Sequence, residues 1–309
     1  MADIIGTNGN DRLFGGSGND NIDGLAGDDY IVGNDGDDTV LGGSGNDTVW
    51  AGPDDAGNDS ILGGAGDDLI GAGAGNDYVE GGAGSDTIYG GAGDDFLSAT
   101  DPLSFGTVAD DASGDVIWAG VGDDTVWGSA GADTLGGGDG NDQVLSGAGD
   151  DVIYGGAGSD SVDAGAGADL IFGGTGDDLL IGGDGSDTIW GGSGDDLMTG
   201  DAGTAYADVF GFIPGSSTDG ATSDTITDFN IASVDGVDDV LDLSGYNLSG
   251  ATVGNTIGEM VDKGFLVNLG GTDTGVDLDL DGNVDILLQG VVTDDGLNTS
   301  ELTADNFIL

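Results

Sequence analysis

Gly42-Gly43-Ser44-Gly45-Asn46-Asp47-Thr48-Val49-Trp50 decides the fold of this chain. Glycine stands at places one, two and four of the nine, aspartate at six and an aliphatic residue at eight. The same frame returns along two-thirds of the sequence, with its aspartate at Asp11, Asp20, Asp29, Asp38 and Asp47, then from Asp59 to Asp95, then from Asp115 to Asp196. Such internal repetition changes the meaning of every local motif, because each unit is one turn element of a solenoid.

The register slips by three residues at Pro53-Asp54-Asp55 and is interrupted again over 99–113, where Pro102, Leu103, Phe105 and Val108 fall. Asp115-Val116-Ile117-Trp118 restores the phase, and the last degenerate unit ends at Asp208-Val209-Phe210, giving about 21 units. Place four departs from glycine at Ser113 and Tyr206. Triplets such as Thr39-Val40-Leu41, Thr87-Ile88-Tyr89 and Thr188-Ile189-Trp190 are rich in β-formers, with the middle residue apolar. Place eight is therefore read as inward. The glycines before it suit a tight turn with positive φ and a backbone close to an ion. A three-residue strand and a six-residue turn make half a coil, so two units make an 18-residue turn of a flattened parallel roll with coils about 4.8 Å apart. The expected fold is all-β: a parallel β-roll over 1–211 with an inserted loop at 99–113, then a C-terminal β domain over 212–309.

The 60 acidic residues face two basic ones, Arg12 and Lys263, for a formal charge of −58 with no histidine. That surface disfavours nucleic acid and anionic membrane as partners. Close carboxylates repel one another, so folding needs counter-cations. The 69 glycines raise the entropy cost of ordering the chain, and the metal-free repeats are predicted to be unfolded. With no cysteine there are no disulfides or thiolate metal sites. Met1-Ala2-Asp3-Ile4-Ile5 lacks the basic region and apolar core of a secretory signal, and no run reaches the length of a membrane span.

The motif Gly-Gly-x-Gly-x-Asp-x-(aliphatic)-x over residues 6 to 211 resembles the nonapeptide of repeats-in-toxin (RTX) proteins, whose parallel β-roll binds Ca²⁺. The resemblance implies one ion between turns on the same edge, one coil apart, sharing place-six carboxylates and backbone carbonyls. Asp11 then pairs with Asp29, Asp20 with Asp38 and Asp29 with Asp47, and each aspartate serves two ions. The implied ligands are Asp11, Asp20, Asp29, Asp38, Asp47, Asp59, Asp68, Asp77, Asp86, Asp95, Asp124, Asp133, Asp142, Asp151, Asp160, Asp169, Asp178, Asp187 and Asp196. About 15 to 19 Ca²⁺ ions follow, since a hard cation accepting six to eight oxygens favours mixed carboxylate and carbonyl donors. Solvated turn aspartates are the bland alternative, but turn chemistry would also accept Asn or Ser at place six, and none occurs there.

Beyond Phe212 the segments Ser223 to Phe229 and Asp239 to Leu243 resemble the target domain that follows such repeats in substrates of type I secretion. The end, Leu302-Thr303-Ala304-Asp305-Asn306-Phe307-Ile308-Leu309, resembles the uncleaved signal of that pathway. The resemblance implies the type I secretion machinery as a transient partner and an extracellular or cell-surface location, with folding on arrival. Asp277, Asp279 and Asp281 before Gly282 look like the front of an EF-hand loop, but its twelfth place is Leu288 rather than Glu. A hairpin from Val276 to Leu288 is the preferred reading, with an ion at its turn left open.

Without histidine, cysteine or a Gly-x-Ser-x-Gly elbow, common hydrolase sites are missing, and no catalytic domain is expected ahead of the repeats. The expectation is a chain that is not an enzyme. Place nine of the odd units offers Phe14, Trp50, Tyr89, Trp118, Tyr154, Phe172 and Trp190, an aromatic stripe on one sheet if 99–118 fills one half-coil. Such a stripe marks self-association or glycan contact, or else cross-strand packing that only stabilises the sheet. The reading is a secreted calcium-binding roll serving as a structural or adhesive component of a surface layer, filament or biofilm matrix. A stand-alone carbohydrate-binding or accessory module is the alternative, and a hydrolase the residual one.

Overall fold

A computed structural model of the chain describes residues 1–52, 56–100, 112–201, 206–212, 224–227 and 239–242. It also gives the backbone of the strands Leu266–Asn268, Thr274–Val276, Ile286–Leu288 and Phe307–Ile308. No helix occurs among the described residues. The chain divides into two compact units, Met1–Ala164 and Gly165–Leu309.

In the first unit the strands alternate between two parallel sheets. One carries Asp3–Ile5, Asn21–Asp23, Thr39–Ser44, Ser60–Ala65, Tyr78–Ala83, Phe96–Ser98, Thr125–Trp127 and Gln143–Ala148; the other carries Arg12–Phe14, Tyr30–Val32, Thr48–Trp50, Leu69–Ala74, Thr87–Ala92, Val116–Val121, Thr134–Asp139 and Val152–Ala157. Successive units thus fall on opposite sheets, and each strand pairs with the one a whole coil away. Asp3 pairs with Asn21 and Ile4 with Ile22, an offset of 18. Where Pro53-Asp54-Asp55 intervenes the offset grows to 21, as Val40 with Ile61, and across 99–113 to 29, as Tyr89 with Trp118. Both interruptions are absorbed outside the strands, so place eight keeps its direction. Residues 101–111 lie outside the described residues.

Most strands are longer than the expected triplet. Thr39–Ser44 and Thr87–Ala92 run through places seven, eight, nine, one, two and three, and leave a turn of only places four to six. Pairing skips place one: Leu41 matches Leu62, then Gly43 matches Gly64. The physical reason is that places two and three, such as Gly43 and Ser44, follow a local irregularity at place one and rejoin the ladder, instead of forming part of the turn.

Place eight is the core. Ile22, Ile31, Val40, Val49, Ile61 and Ile70 are at most 1% exposed, and the column continues to Ile153. Each such aliphatic is worth roughly 1.5–3 kcal/mol when buried. With one per nine residues, apolar burial alone holds a thin stack.

In the second unit the same alternation holds for Leu170–Thr175, Leu179–Asp184, Thr188–Ser193, Leu197–Thr199 and Val209–Gly211. Parallel pairing runs past residue 211: Met198 matches Ile226, Phe210 matches Leu241, Asp224 matches Ile286, and Leu241 matches Phe307. Thr274–Val276 pairs antiparallel with Ile286–Leu288, the partnership a hairpin requires. Asp277, Asp279, Asp281 and most of the terminal segment 302–309 lie outside the described residues.

Candidate metal centre

Every place-six aspartate sits at the end of a turn, where the chain enters the next strand. From Asp11 to Asp142 and from Asp169 to Asp208 the backbone N–H donates to the Oδ1 of the aspartate one coil on. In the first unit Asp11 donates to Asp29 at 2.7 Å, Asp20 to Asp38 at 2.7 Å, Asp29 to Asp47 at 2.8 Å and Asp38 to Asp59 at 2.7 Å. The column continues as Asp47 to Asp68, Asp59 to Asp77, Asp68 to Asp86, Asp77 to Asp95, Asp86 to Asp115 and Asp95 to Asp124. It ends in this unit with Asp115 to Asp133, Asp124 to Asp142, Asp133 to Asp151 and Asp142 to Asp160. In the second unit Asp169 donates to Asp187, Asp178 to Asp196, Asp187 to Asp208, Asp196 to Asp224 and Asp208 to Asp239. The structure therefore brings all nineteen expected aspartates into coil-to-coil columns and adds Asp115, Asp208, Asp224 and Asp239 to them. Asp115 and Asp208 stand at place six of the frame but outside the expected ligand set, because place four of their units is Ser113 or Tyr206; Asp224 and Asp239 stand past the glycine pattern, where the frame does not reach.

These carboxylates are buried: Asp29, Asp47, Asp68, Asp124, Asp142 and Asp196 are 2–3% exposed. Their Oδ2 atoms, with those of Asp95 and Asp187, have no hydrogen-bond partner. A buried carboxylate oxygen left unpaired costs more than a kilocalorie, about 1–3 kcal/mol even for a neutral group. Burial drives the Asp68, Asp95, Asp133 and Asp142 carboxyls up to about 7, opposed by the backbone N–H each accepts and reinforced by neighbouring carboxylates. Asp208 rises to about 8 from the same cause, with Asp239, Asp187 and Asp201 adding repulsion. Asp20 shows the opposite balance. Gly16 N–H reaches its Oδ2 at 2.7 Å and Ala2 N–H its Oδ1 at 2.5 Å, and these donors hold its carboxyl below the usual range. Asp133, whose two oxygens accept from Asp115 and Ser129, is still raised because desolvation outweighs those donors, so burial as well as an orphaned oxygen asks for a cation.

Glycine frames the orphaned oxygen. A Cβ on Gly90, at place one, would lie 2.5 Å from the Ala119 carbonyl oxygen of the next coil and 2.6 Å from Asp95 Oδ2. Carboxylate and carbonyl oxygens thus converge beside place one, the mixed donor set a hard cation such as Ca²⁺ takes. Gly24, Gly42 and Gly63 are hemmed in by the matching pair of oxygens, from Asp29, Asp47 and Asp68 and the carbonyl one coil on. No group of three or more Asp, Glu, His or Cys side chains converges on one point among the described residues. Coordination here has to combine side chains with backbone, as this arrangement allows. The residues present fit the ion.

Place five forms a second column that the sequence reading passed over as variable. Its N–H groups donate in the opposite sense, to the preceding coil: Asp28 to Asn10 Oδ1 at 3.1 Å, Asn46 to Asp28 Oδ1 at 3.0 Å and Asp67 to Asn46 Oδ1 at 3.1 Å. The amides return the contact, Asn10 Nδ2 to Asp28 Oδ2 at 3.3 Å and Asn46 Nδ2 to Asp67 Oδ2 at 3.3 Å. Through Asn10, Asp28, Asn46 and Asp67 the alternation separates like charges on the exposed edge, whereas elsewhere Asp123 donates to Asp94 and Asp195 to Asp177. The signal was available as i, i+18 alternation of Asn10, Asp28 and Asn46.

The aromatic place-nine residues of the first unit, Phe14, Trp50, Tyr89, Trp118 and Tyr154, lie on one sheet and are exposed; Phe172 and Trp190 share a sheet in the second unit. The opposite sheet carries aromatics as well, Tyr78 and Phe96 at place seven and Trp127 at place nine. Tyr78 and Phe96 stack at 5.3 Å, and Phe96 meets Trp127 edge-on at 5.0 Å.

Parallel coils, an inward aliphatic column and carboxylate columns with orphaned buried oxygens define a calcium-binding β-solenoid. The chain belongs to the RTX family: the model described as "RTX calcium-binding nonapeptide repeat (4 copies)" matches residues 5–40, 23–55, 54–79, 71–101, 110–144, 136–171 and 172–205. It is a calcium-binding RTX β-roll repeat protein, of a kind typically secreted. No curated protein matches the chain. Among solved structures, the AlgE6R3 subunit of the Azotobacter vinelandii mannuronan C5-epimerase is similar at 24% identity and a TM-score of 0.29, covering 58% of this chain and 80% of that one. The extracellular lipase LipA of Serratia marcescens is similar at 18% identity and a TM-score of 0.15, covering 97% of this chain and 39% of the lipase.

Proposed function

We propose that the place-six aspartates hold Ca²⁺ between coils, and that ion binding is the folding step of this chain. Asp11, Asp20 and the other seventeen expected ligands, joined by Asp115, Asp208, Asp224 and Asp239, line the edges of the roll; the Oδ2 atoms of Asp29, Asp47, Asp68, Asp95, Asp124, Asp142, Asp187 and Asp196 stand unpartnered, while those of Asp11, Asp20 and Asp133 already accept from Thr7, Gly16 and Ser129. One ion per coil pair on each edge gives roughly 15 to 19. The observation that carries the reading is the repeated buried Oδ2 without a partner, beside a carbonyl oxygen of the next coil. Calcium supplies the positive charge there. The chain's own part is to space the carboxylates one coil apart, to keep water out and to hold Oδ1 with an N–H.

Folding free energy is then binding free energy. Weak sites that fill at about 10⁻⁴ to 10⁻³ M remain empty in cytosol and fill outside. The protein is read as secreted, with 212–309 as its export domain and the type I machinery as a transient partner. It acts as a non-enzymatic structural or adhesive component at the cell surface. Its exposed aromatic face favours contact with glycan over a purely passive scaffold. Far-ultraviolet circular dichroism during calcium titration of chelated protein tests the core claim. A cooperative gain of sheet is expected, and the same ordered spectrum in excess chelator would defeat it.

A further inference from the structure

The first unit's sheet from Arg12–Phe14 to Val152–Ala157 turns places seven and nine outward. Trp50 pairs with Gly71 and Trp118 with Gly136, the glycine in each case one coil on. A Cβ on either glycine would collide with the indole Cε3 and Cζ3 atoms, so each ring lies down over a position that has no side chain. Trp118 reaches across Gly136 to Tyr154, two coils on, with ring centroids 5.7 Å apart and planes only 30° from parallel. Trp50, Tyr89, Trp118 and Tyr154 are 36–44% exposed.

Charge separates this face from the rest of the molecule. In a chain of net charge −58, Asp139 is the single carboxylate within the strands of this sheet in the unit, and it stands at place three. The opposite sheet carries Asp3, Asp23 and Glu80 in its strands, and its aromatics pack on one another. Cross-strand packing accounts for Tyr78, Phe96 and Trp127. It does not account for indoles flattened over glycine with their faces outward.

We propose that this face binds a neutral, extended polysaccharide running along the roll axis, with Trp50, Tyr89, Trp118 and Tyr154 stacking against the apolar faces of its sugar rings. Coils about 4.8 Å apart advance by a distance comparable to one pyranose in an extended chain. An uncharged ligand suits a strip whose outward places seven and nine carry no charge from Thr48–Trp50 to Val152–Ala157, flanked by carboxylate edges. A polyanion would meet those edges, and a second copy of this chain would bring its own negative charge to the contact. The proposal rests on the calcium-loaded roll only as its folded state.

The test is affinity gel electrophoresis of the full calcium-loaded chain in hydroxyethylcellulose, glucomannan and, as an anionic probe, polygalacturonate. At least one neutral glycan should retard the protein. The Trp118→Ala/Tyr154→Ala variant should bind about tenfold more weakly. Tyr78→Ala/Trp127→Ala, on the other sheet, should bind as the parent does. Circular dichroism in calcium checks folding of each variant, and Tyr89→Ala serves if the double variant does not fold. The proposal is overturned if neither neutral glycan retards the parent, if polygalacturonate retards it more, or if the Trp118 or Tyr89 variants bind unchanged. It is also overturned if sedimentation shows a dimer that those variants dissolve while glycan binding is absent. A chain that folds with calcium and ignores both neutral glycans sinks this proposal and leaves calcium-driven folding standing.

Discussion

The backbone N–H of Asp47 donates to Oδ1 of Asp68 at 2.7 Å, and the other oxygen of that carboxylate is buried with no hydrogen-bond partner. One hydrogen bond fixes where the side chain points, and the leftover oxygen fixes what it must meet. Orientation by the backbone and neutralisation by an ion are separate jobs done by two atoms of one group.

Asp68→Asn should therefore act with opposite signs in two conditions. With calcium, the amide loses the charge that serves two coils, so isothermal titration should find one or two fewer ions and stability lower by roughly 1 to 3 kcal/mol. In chelator the same change removes a buried, uncompensated charge and should make residual structure more persistent. Asp67→Asn at place five, exposed and already bonded to Asn46, should leave the ion count unchanged. Equal losses from both substitutions would refute the division between the columns.

Acidity should replace part of what calcium does. Asp68, Asp95, Asp133 and Asp142 are raised by burial to about 7 in the ion-free fold, against about 3.9 in an unfolded chain. Between those values the folded state holds more protons, so the stability of the ion-free fold falls as pH rises from about 4 through 7. Chelated protein should gain sheet signal when taken from pH 8 to pH 5. Calcium binds the ionised form, so at pH 5, where protons already support the fold, added calcium should contribute less sheet signal than at pH 8. Chelated protein that gains no sheet between pH 8 and pH 5 would show that the raised carboxyls do not govern the ion-free fold.

The nine-residue frame made the roll, its inward column and the pairing of Asp11 with Asp29 legible, because glycine, aspartate and aliphatic places answer to separate constraints: backbone freedom, charge and burial. Strand length was not legible. Nothing in Gly42-Gly43-Ser44 marks it as strand, since its β character comes from the neighbouring coil at Gly64 and Ala65. The Asn-Asp column at place five was hidden for a related reason: Asn10 and Asp28 stand 18 residues apart, and their bond exists only after stacking. Asp224 and Asp239 join the carboxylate columns without any repeat frame, through strands that pair with the last repeats at Met198 and Phe210. The flattening of Trp118 over Gly136 likewise belongs to no single unit.

Glycine should prove unequal along one unit. Place one already tolerates a methyl group, as buried Ala51, Ala72 and Ala119 occupy it, so Gly90→Ala asks for a local shift of Asp95 and of the Ala119 carbonyl that those coils show to be attainable. Place four carries a side chain only in the two interrupted units, at Ser113 and Tyr206, neither of which has a positive φ. Gly93 has φ +128°, a backbone that L-residues rarely adopt, and a Cβ there would run into the Gly75 carbonyl of the preceding coil. Strain of that kind costs on the order of 1–3 kcal/mol, and calcium would have to supply it. Gly93→Ala should thus raise the calcium concentration at the folding midpoint well above that of Gly90→Ala, with both read by circular dichroism. The reverse order would mean that the oxygen pair beside place one, rather than the turn's handedness, limits how tightly successive coils close.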